Sequence, residues 1–431
     1  MENHIGLIGY GAMAKNISFN LIKKNFFISI YNKEKVKLNF KFYNIIIITN
    51  CLKKFIKSLP KIKLIFLLIK TGNPIKIIIL KLKKFLYKKD IVIDFGNSFY
   101  KNSFLNKYYI KNKFIFVTSG ISGGSKGALK GLCCMIDINI KIFNNIKKII
   151  KNIFFLKKNR FSCCISFGFS SSHFIKMIHN GIEYGLLQLI SEIYFIIKKI
   201  LIFKKKIINL ITIWNNSDIS CYLLKILINI ILKKKINILD IVEHKGTGMH
   251  AVVNSIQNNI NINSIFEALI IRIISKNIFL RKTIKNNNKI KFNINISIFL
   301  EILKNSFFIC KLLCYIQGFN NIIKNFKKYN WKINFNNIIK SYLNSCIIDS
   351  NILYYLLLFK KNFFLIKIFY IYIKKINLLK KIIFLFYKFN FSFLYINSCL
   401  NFLYIIIYKN YNFKIIQFER NYFGNHKLFF I

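Results

Sequence analysis

The chain has 431 residues, enough for two or three domains with sizeable cores, and 69 Lys+Arg against 14 Asp+Glu give it a formal charge of +55. Such a charge ordinarily points to nucleic acid or an anionic membrane, but here it is scattered as lysine, and arginine, the residue of bidentate phosphate contacts, stands only at Arg160, Arg272, Arg281 and Arg420. Ile, Lys, Asn, Phe and Tyr, all encoded by A/T-rich codons, dominate the chain, so the charge is attributed to mutational bias and neither nucleic acid nor membrane is expected as a partner.

Strands are predicted at Ile5–Ile8, Phe27–Tyr31, Ile45–Ile48, Leu64–Ile69, Ile91–Asp94 and Phe114–Thr118. Short apolar runs separated by helical lengths indicate a parallel sheet with crossover helices. All glycines except Gly318 and Gly424 precede residue 250, and the two prolines, Pro60 and Pro74, also fall in this first part. Its first strand enters Gly9-Tyr10-Gly11-Ala12-Met13-Ala14, a G-x-G-x-x-A turn opening the helical run from Lys15 to Lys24. Gly9 permits the tight turn, Gly11 lets backbone approach a pyrophosphate, and Ala14 lets the helix pack against the strand, with the helix N-terminus facing the phosphates. A plain βα turn is the alternative. The second strand ends Tyr31-Asn32-Lys33-Glu34. Asn32 and Lys33 suit the 2′-phosphate of NADP, whereas Glu34 would repel it if it pointed inward.

The chain opens Met-Glu-Asn-His and enters a strand at Ile5, so no signal peptide is expected. The 10 Cys include the vicinal pairs Cys133-Cys134 and Cys163-Cys164 and form no C-x-x-C, a pattern that fits a reducing cytoplasm and neither a zinc site nor a disulfide framework.

Beyond about residue 170, long Ile/Leu/Lys/Asn segments with little turn punctuation predict a mostly helical second part. It begins with the run His173 to Gly185. Positions three or four apart share a helix face, so Lys176, His179, Asn180, Glu183 and Tyr184 form one stripe, while Phe174, Ile175, Met177 and Ile178 fill other directions. In a chain with 14 Asp+Glu and 6 His, this concentration marks a candidate site; a solvated polar face with a Lys–Glu pair is the alternative. Phe389 to Tyr408 is long and uncharged enough to raise a membrane span, but Asn390, Ser392, Asn397, Ser398 and Asn401 within it point to a buried helix pair. From Tyr411 the chain turns polar and mixed, like a tail.

These motifs, with Leu68-Ile69-Lys70-Thr71-Gly72, Asp94-Phe95-Gly96-Asn97-Ser98, Ser119-Gly120-Ile121-Ser122-Gly123-Gly124, Lys245-Gly246-Thr247-Gly248, Ile271-Arg272, Cys346-Ile347-Ile348 and the run Arg420 to His426, resemble decarboxylating 6-phosphogluconate dehydrogenases over nearly the whole chain. The resemblance implies an α/β plus all-α architecture: a Rossmann-like NADP-binding domain over 1–169, a large all-helical substrate and dimerisation domain over 170–410, and a tail, 411–431, reaching the partner subunit of a homodimer. It implies that Gly9, Tyr10, Gly11, Ala12, Met13, Ala14, Asn32, Lys33, Ile69, Lys70, Thr71 and Asn97 contact NADP, with Glu34 at the same strand end. Asn97, Ser122, Gly123, Gly124, His179, Asn180, Tyr184, Lys245, Thr247 and Arg272 would surround the sugar phosphate, with Arg420 and His426 supplied by the other subunit.

The implied reaction, in the oxidative branch of the pentose phosphate pathway, oxidises the hydroxyl beta to the carboxylate of 6-phosphogluconate and releases carbon dioxide through an enediol. Lys176 would take the hydroxyl proton and later return one to the ketone oxygen; Glu183 would protonate the enediol carbon. Lys176 must be neutral to act as a base, which burial and neighbouring cations such as Lys245 favour. Glu183 must hold a proton at the right moment, which burial favours. No metal is expected, because the ketone and its proton donor supply the electron sink. The chain departs from the family at Phe95, where Gly is usual, at Phe99, where Glu is usual, at Lys33, where Arg is usual, and at Asp349, where a basic residue is usual. Five residues follow His426, so contacts made there by longer relatives are expected to be missing. Two alternatives stand beside this reading: a β-hydroxyacid dehydrogenase that does not decarboxylate, and a basic, non-catalytic nucleic-acid-binding or scaffold protein on a dehydrogenase shell.

Overall fold

A computed structural model describes residues 3–34, 44–154, 156–157, 160–166, 168–233, 238–244, 246–283, 294–332, 334–343, 346–358, 364–389, 391–407 and 412–429. The first part runs β1 (His4–Ile8), α1 (Ala12–Ile22), β2 (Phe27–Tyr31), β3 (Ile45–Thr49), α2 (Leu52–Lys57), β4 (Leu64–Leu67), α3 (Asn73–Leu82), β5 (Ile91–Asp94), α4 (Tyr100–Ile110), β6 (Ile115–Ser122), α5 (Gly124–Lys130), β7 (Cys133–Asp137) and α6 (Ile140–Ile153). The short strands β8 (Leu156–Lys157) and β9 (Arg160–Phe161) pair with each other, and β10 (Cys163–Ser166) follows. One eight-stranded sheet has the order β10-β7-β6-β5-β4-β1-β2-β3. Its central strands are buried on both faces, which is why they read as continuous apolar runs.

The sheet differs from expectation in three places. It is mixed, because β6 and β7 pair antiparallel: the stretch from Gly123 to Leu132 is too short for a right-handed parallel crossover. Ser119 to Ser122, beyond the end of the predicted strand Phe114–Thr118, continue β6, whereas β4 stops at Leu67 rather than Ile69. The vicinal cysteines are strand residues, with Cys134 in register with Cys163.

The second part is α7 (Ser171–Ile200), α8 (Lys204–Asn215), α9 (Tyr222–Leu232), α10 (Thr247–Gln257), α11 (Asn263–Ser275), α12 (Ile278–Thr283), α13 (Ile296–Lys328), α14 (Phe335–Tyr342), α15 (Ile352–Leu357), α16 (Phe364–Lys388), α17 (Leu394–Ile407) and α18 (Phe413–Gly424). The long helices α7 and α13 pack together along their lengths, and α7 also meets α10, α11 and the ends of β6 and β7. Apolar residues such as Phe174, Ile178, Ile182, Leu189 and Ile193 of α7 join the core with Phe307, Leu313 and Phe319 of α13.

The apolar stretch from Phe389 holds one helix, α17, rather than a pair. Its N-terminus is satisfied by the buried Glu192 of α7, whose carboxylate accepts the Tyr395 and Ile396 N–H groups at 3.2 Å each. Among the described residues no helix is long and apolar enough to cross a membrane. The last helix, α18, buries none of its residues.

Candidate active site

The turn after β1 has the geometry a phosphate cradle needs. Gly9 has φ of +93°, and a Cβ there would lie 2.6 Å from the Leu68 carbonyl oxygen, so only glycine fits. At Gly11, the N-cap of α1, an added Cβ would meet nothing within 4 Å, which leaves open space before the first N–H groups of the helix. Asn32 accepts the Tyr10 N–H at 3.1 Å and donates to the Glu34 carbonyl at 2.9 Å, tying the glycine turn to the end of β2. Lys33 and Glu34 are exposed there.

A cavity of about 790 Å³ lies between the C-terminal ends of the strands and the helical part. Met13, Ile69, Lys70, Thr71 and Asn97 line it from the sheet side with Ser122 and Gly124, while Lys176, Asn180, Glu183, Tyr184, Thr247 and Arg272 line it from the helices. Its open position at the sheet end matches where ligands bind in doubly wound folds. The loop bearing Asn97 is set by Asp94, which accepts the Gly96 N–H and the Ser98 hydroxyl at 2.8 Å each. His173, inside the sequence motif, has a different task. Its ring lies 2.9 Å from Ser103 Oγ and 3.2 Å from the Asp94 carbonyl, so it fastens α7 to β5 and α4; burial lowers its pKa against the pull of Asp94.

The stripe lies where β6 and α7 approach closely. A Cβ on Gly120 of β6 would stand 2.4 Å from Lys176 Cβ, so a side chain there would displace α7. Lys176 Nζ lies 3.4 Å from His179 Nδ1, which also lies 3.2 Å from Asn180 Oδ1 and 3.9 Å from Glu183 Oε2. Asn180 Nδ2 donates to Thr247 Oγ1 at 3.0 Å. Thr247 begins α10 immediately after Gly246, whose φ of +85° makes the left-handed cap. The Arg272 guanidinium stacks 3.7 Å over the Tyr184 ring and donates to the Glu243 carbonyl at 3.2 Å. Burial lowers its pKa, while Tyr184 and Glu183 act the other way.

Several expected residues lie elsewhere. Tyr10, Ala12 and Ala14 belong to the turn and first helix without lining the cavity, as does Gly123, whose φ of +124° turns the chain into α5. Lys245 lies outside the described residues. Arg420 and His426 sit on or just beyond α18, away from the cavity lining; the Asn421 amide donates to the His426 carbonyl at 2.9 Å. Residues given no site role from the sequence also contribute. Phe95, Leu187, Glu243 and Ile347 line the cavity, and Cys346 places its sulfur 2.7 Å from His179 Nε2 and 3.2 Å from Ser122 Oγ. The Cys346-Ile347-Ile348 run was visible as a motif, but nothing in its spacing from residue 179 revealed the contact.

Comparison with known proteins follows the same division. Residues 4–163 match the sequence model of the NAD binding domain of 6-phosphogluconate dehydrogenase, and residues 172–430 match that of the 6-phosphogluconate dehydrogenase C-terminal domain. The chain is similar to the decarboxylating 6-phosphogluconate dehydrogenase of Buchnera aphidicola subsp. Schizaphis graminum, 32% identical over 82% of this chain and 79% of the relative. The Dictyostelium discoideum enzyme of the same name is 31% identical over 82% of this chain and 77% of the relative. Among solved structures, that of Plasmodium falciparum 6-phosphogluconate dehydrogenase, described in its apo form and in complex with its cofactor NADP+ and its substrate 6-phosphogluconate, superposes with a TM-score of 0.88. It is 28% identical, and the match covers 99% of this chain and 98% of that one.

Proposed function

The chain belongs to the 6-phosphogluconate dehydrogenase family, and from that premise we propose that it catalyses the NADP-dependent oxidative decarboxylation of 6-phospho-D-gluconate to D-ribulose 5-phosphate, carbon dioxide and NADPH. The observation that carries the reading is the cavity itself: Lys176 and Glu183, two turns apart on one helix face, line the same space as Met13 and Thr71 from the nucleotide end and Arg272 from α11. NADP, when bound, supplies the hydride acceptor. Gly11 and the α1 N-terminus would hold its pyrophosphate and Lys33 its 2′-phosphate.

Within the cavity, Lys176 takes the proton of the substrate hydroxyl as it is oxidised, and gives one to the ketone oxygen as carbon dioxide leaves. Glu183 delivers the proton to the enediol carbon. Asn180 and Thr247, bonded to each other, and Ser122 position the sugar chain, and Arg272 offers a planar donor set to an anionic end of the substrate. The proposal extends to the boundaries 1–169, 170–410 and 411–431, to a cytoplasmic homodimer, and to Arg420 and His426 acting in the partner's site; the exposed apolar surface of α18 supports the last point.

An assay with 6-phosphogluconate that follows reduced cofactor and released carbon dioxide together tests the reading. Equal yields are expected. NADPH without carbon dioxide would favour a β-hydroxyacid dehydrogenase, and no turnover with salt-sensitive RNA or DNA binding would favour a basic scaffold.

A further inference from the structure

Strand residues alternate in direction, so Thr118, Gly120 and Ser122 of β6 share one face of the sheet. That face meets α7 twice before it reaches the cavity. At Gly120 the strand passes so close to Lys176 Cβ that only the absence of a side chain admits the helix. Two residues earlier, Thr118 Oγ1 lies 2.7 Å from Ser172 Oγ, and Ser172 stands one turn before Lys176 on the same side of α7. The spacings match. Two strand residues advance about 6.6 Å and four helical residues about 6 Å, so helix and strand stay in step from one contact to the next.

The first of these contacts is held by a carboxyl group. Asp137, at the end of β7, is the cross-strand partner of Thr118 and is buried. Its Oδ1 accepts the Thr118 N–H at 3.1 Å; its Oδ2 is bonded to the Thr118 hydroxyl and accepts the Ser172 hydroxyl at 3.4 Å. One group thus brackets a strand residue and a helix residue that also touch each other. Hydrogen bonds have strict lengths and angles, whereas apolar contact is non-directional, so the bracket resists sliding of α7 along β6. The later turns of α7 are held from other elements, Asn180 by Thr247 of α10 and Tyr184 by Arg272 of α11. His173 fastens another side of the first turn to β5 and α4. Asp137 is not among the residues lining the active-site cavity; it lines a separate one of about 420 Å³.

We propose that Asp137 is a positioning residue for the reaction: by joining Thr118 of β6 to Ser172 of α7 it fixes the register of helix on strand, and so the place of the Lys176 amine in the cavity. The inference rests on the proposed reaction for the task of Lys176, though not for the bracket. Burial pushes the Asp137 carboxyl up to about 7, against hydrogen bonds from Thr118, Ser170 and Ser172. Both protonation states keep the bracket. The carboxylate accepts from both hydroxyls, and the neutral acid donates its proton to one of them, since a hydroxyl rotates to accept. An asparagine amide has the shape and the donor of that neutral acid, and an alanine has neither.

Two measurements on the full-length chain decide the matter. The first is steady-state kinetics. Asp137→Ala should lower kcat by about tenfold to a hundredfold, the loss that a displacement of about 1 Å at the reacting group produces. Its KM for 6-phosphogluconate should stay within about twofold, because Asn180, Tyr184 and Arg272 keep their own anchorages. Asp137→Asn should recover kcat to within about fivefold of the wild type. Ser172→Ala, which removes only the helix end of the bracket, should lower kcat in the same way but less, and should add little to Asp137→Ala. Unchanged kcat, a KM that rises as kcat falls, or an asparagine variant as poor as the alanine one overturns the proposal. Should Asp137→Ala fail to fold, Ser172→Ala and Asp137→Asn carry the same decision. The second measurement, amide hydrogen exchange, needs no turnover. Exchange across residues 171–178 should quicken by about tenfold in Asp137→Ala or Ser172→Ala, with residues 186–197 unchanged. No change at 171–178, or quickening along the whole helix, overturns the proposal. If the wild-type chain fails to turn over 6-phosphogluconate, the proposed function falls, while exchange still decides whether Asp137 holds α7.

Discussion

The first turns of α7 and the whole of α18 carry residues proposed for one substrate site, yet their surroundings are opposite. On α7, Lys176, His179 and Asn180 are buried, and each meets a polar partner within its own chain. On α18 the apolar residues Ile415, Ile416, Phe418 and Phe423 are 49%, 54%, 57% and 74% exposed. Buried polar groups persist only where partners satisfy them, so the α7 half of the site is complete in one chain. An exposed apolar helix is a surface in want of cover, so the α18 half is not.

The largest effects should follow from breaking the α7 half. Lys176→Ala should reduce turnover by about 10³-fold or more, because no other group on that face is placed to take the hydroxyl proton. Glu183→Ala should lose proton delivery to the enediol to a similar degree while binding substrate normally. Steady-state kinetics with direct binding of 6-phosphogluconate checks both. Near-normal turnover in Glu183→Ala would remove the decarboxylating mechanism and promote the simple dehydrogenase.

The α18 half gives a test of a different kind. Arg420→Ala alone should be nearly inactive, as should Lys176→Ala. In a heterodimer of the two, the chain that keeps Lys176 can borrow Arg420 from its partner, so one complete site forms. Activity should return when the variants are co-expressed with distinguishable tags and the heterodimer is isolated. A proven heterodimer that stays dead would place the tail in its own subunit and dissolve the contrast between the two helices.

The same contrast explains what could be read without a structure. The Lys176 to Tyr184 stripe was legible because helical spacing is local, and the early strands were legible because buried parallel strands are apolar throughout. Phe27–Tyr31 and Ile91–Asp94 fell where predicted. The pairing of Cys133-Cys134 and Cys163-Cys164 as strand residues was hidden because cysteine reads as chemistry before it reads as a small apolar residue. The antiparallel turn between β6 and β7 depended on a connection length that only strand boundaries reveal. Contacts such as Cys346 with His179 join residues 167 apart in sequence, and periodicity carries no information over that span. The cover for α18 is not written in the sequence of α18 at all.

A smaller effect comes from the far half of α7, where burial of a carboxylate is costly even with partners. Glu192 has its pKa pushed up to about 7, by burial first, with hydrogen bonds from Gln188, Tyr395 and Ile396 opposing the rise. A carboxyl raised in the folded state contributes stability that is fully present below its unfolded value, near 4.5, and is lost as pH rises through about 7. Stability should therefore fall between about pH 5 and 8, with Glu192 responsible for at most about 3 kcal/mol of the loss. Glu192→Gln should shrink the difference between urea midpoints measured at the two pH values. An unchanged difference would mean that the cap on α17 keeps its charge without penalty.

The smallest effect concerns a residue exposed like those of α18 but positioned by its own chain. Lys33 follows Asn32, and Asn32 is fixed by the Tyr10 N–H and the Glu34 carbonyl, so Lys33 projects from a held strand end beside the glycine turn. Being exposed, it contributes little to folding, and its charge acts on whatever anion docks there. A 2′-phosphate would gain a charge-assisted contact; a bare ribose hydroxyl would not. Glu34, equally exposed and one residue on, repels the same phosphate and narrows the margin. The wild-type enzyme should thus prefer NADP over NAD, and Lys33→Glu should move the ratio of kcat/KM values toward NAD by about tenfold to a hundredfold, with the melting temperature unchanged. Glu34→Gln should move the ratio the other way by less. If Lys33→Glu leaves the ratio unmoved, the 2′-phosphate is read elsewhere, and residues 35–43, outside the described residues, become the place to look.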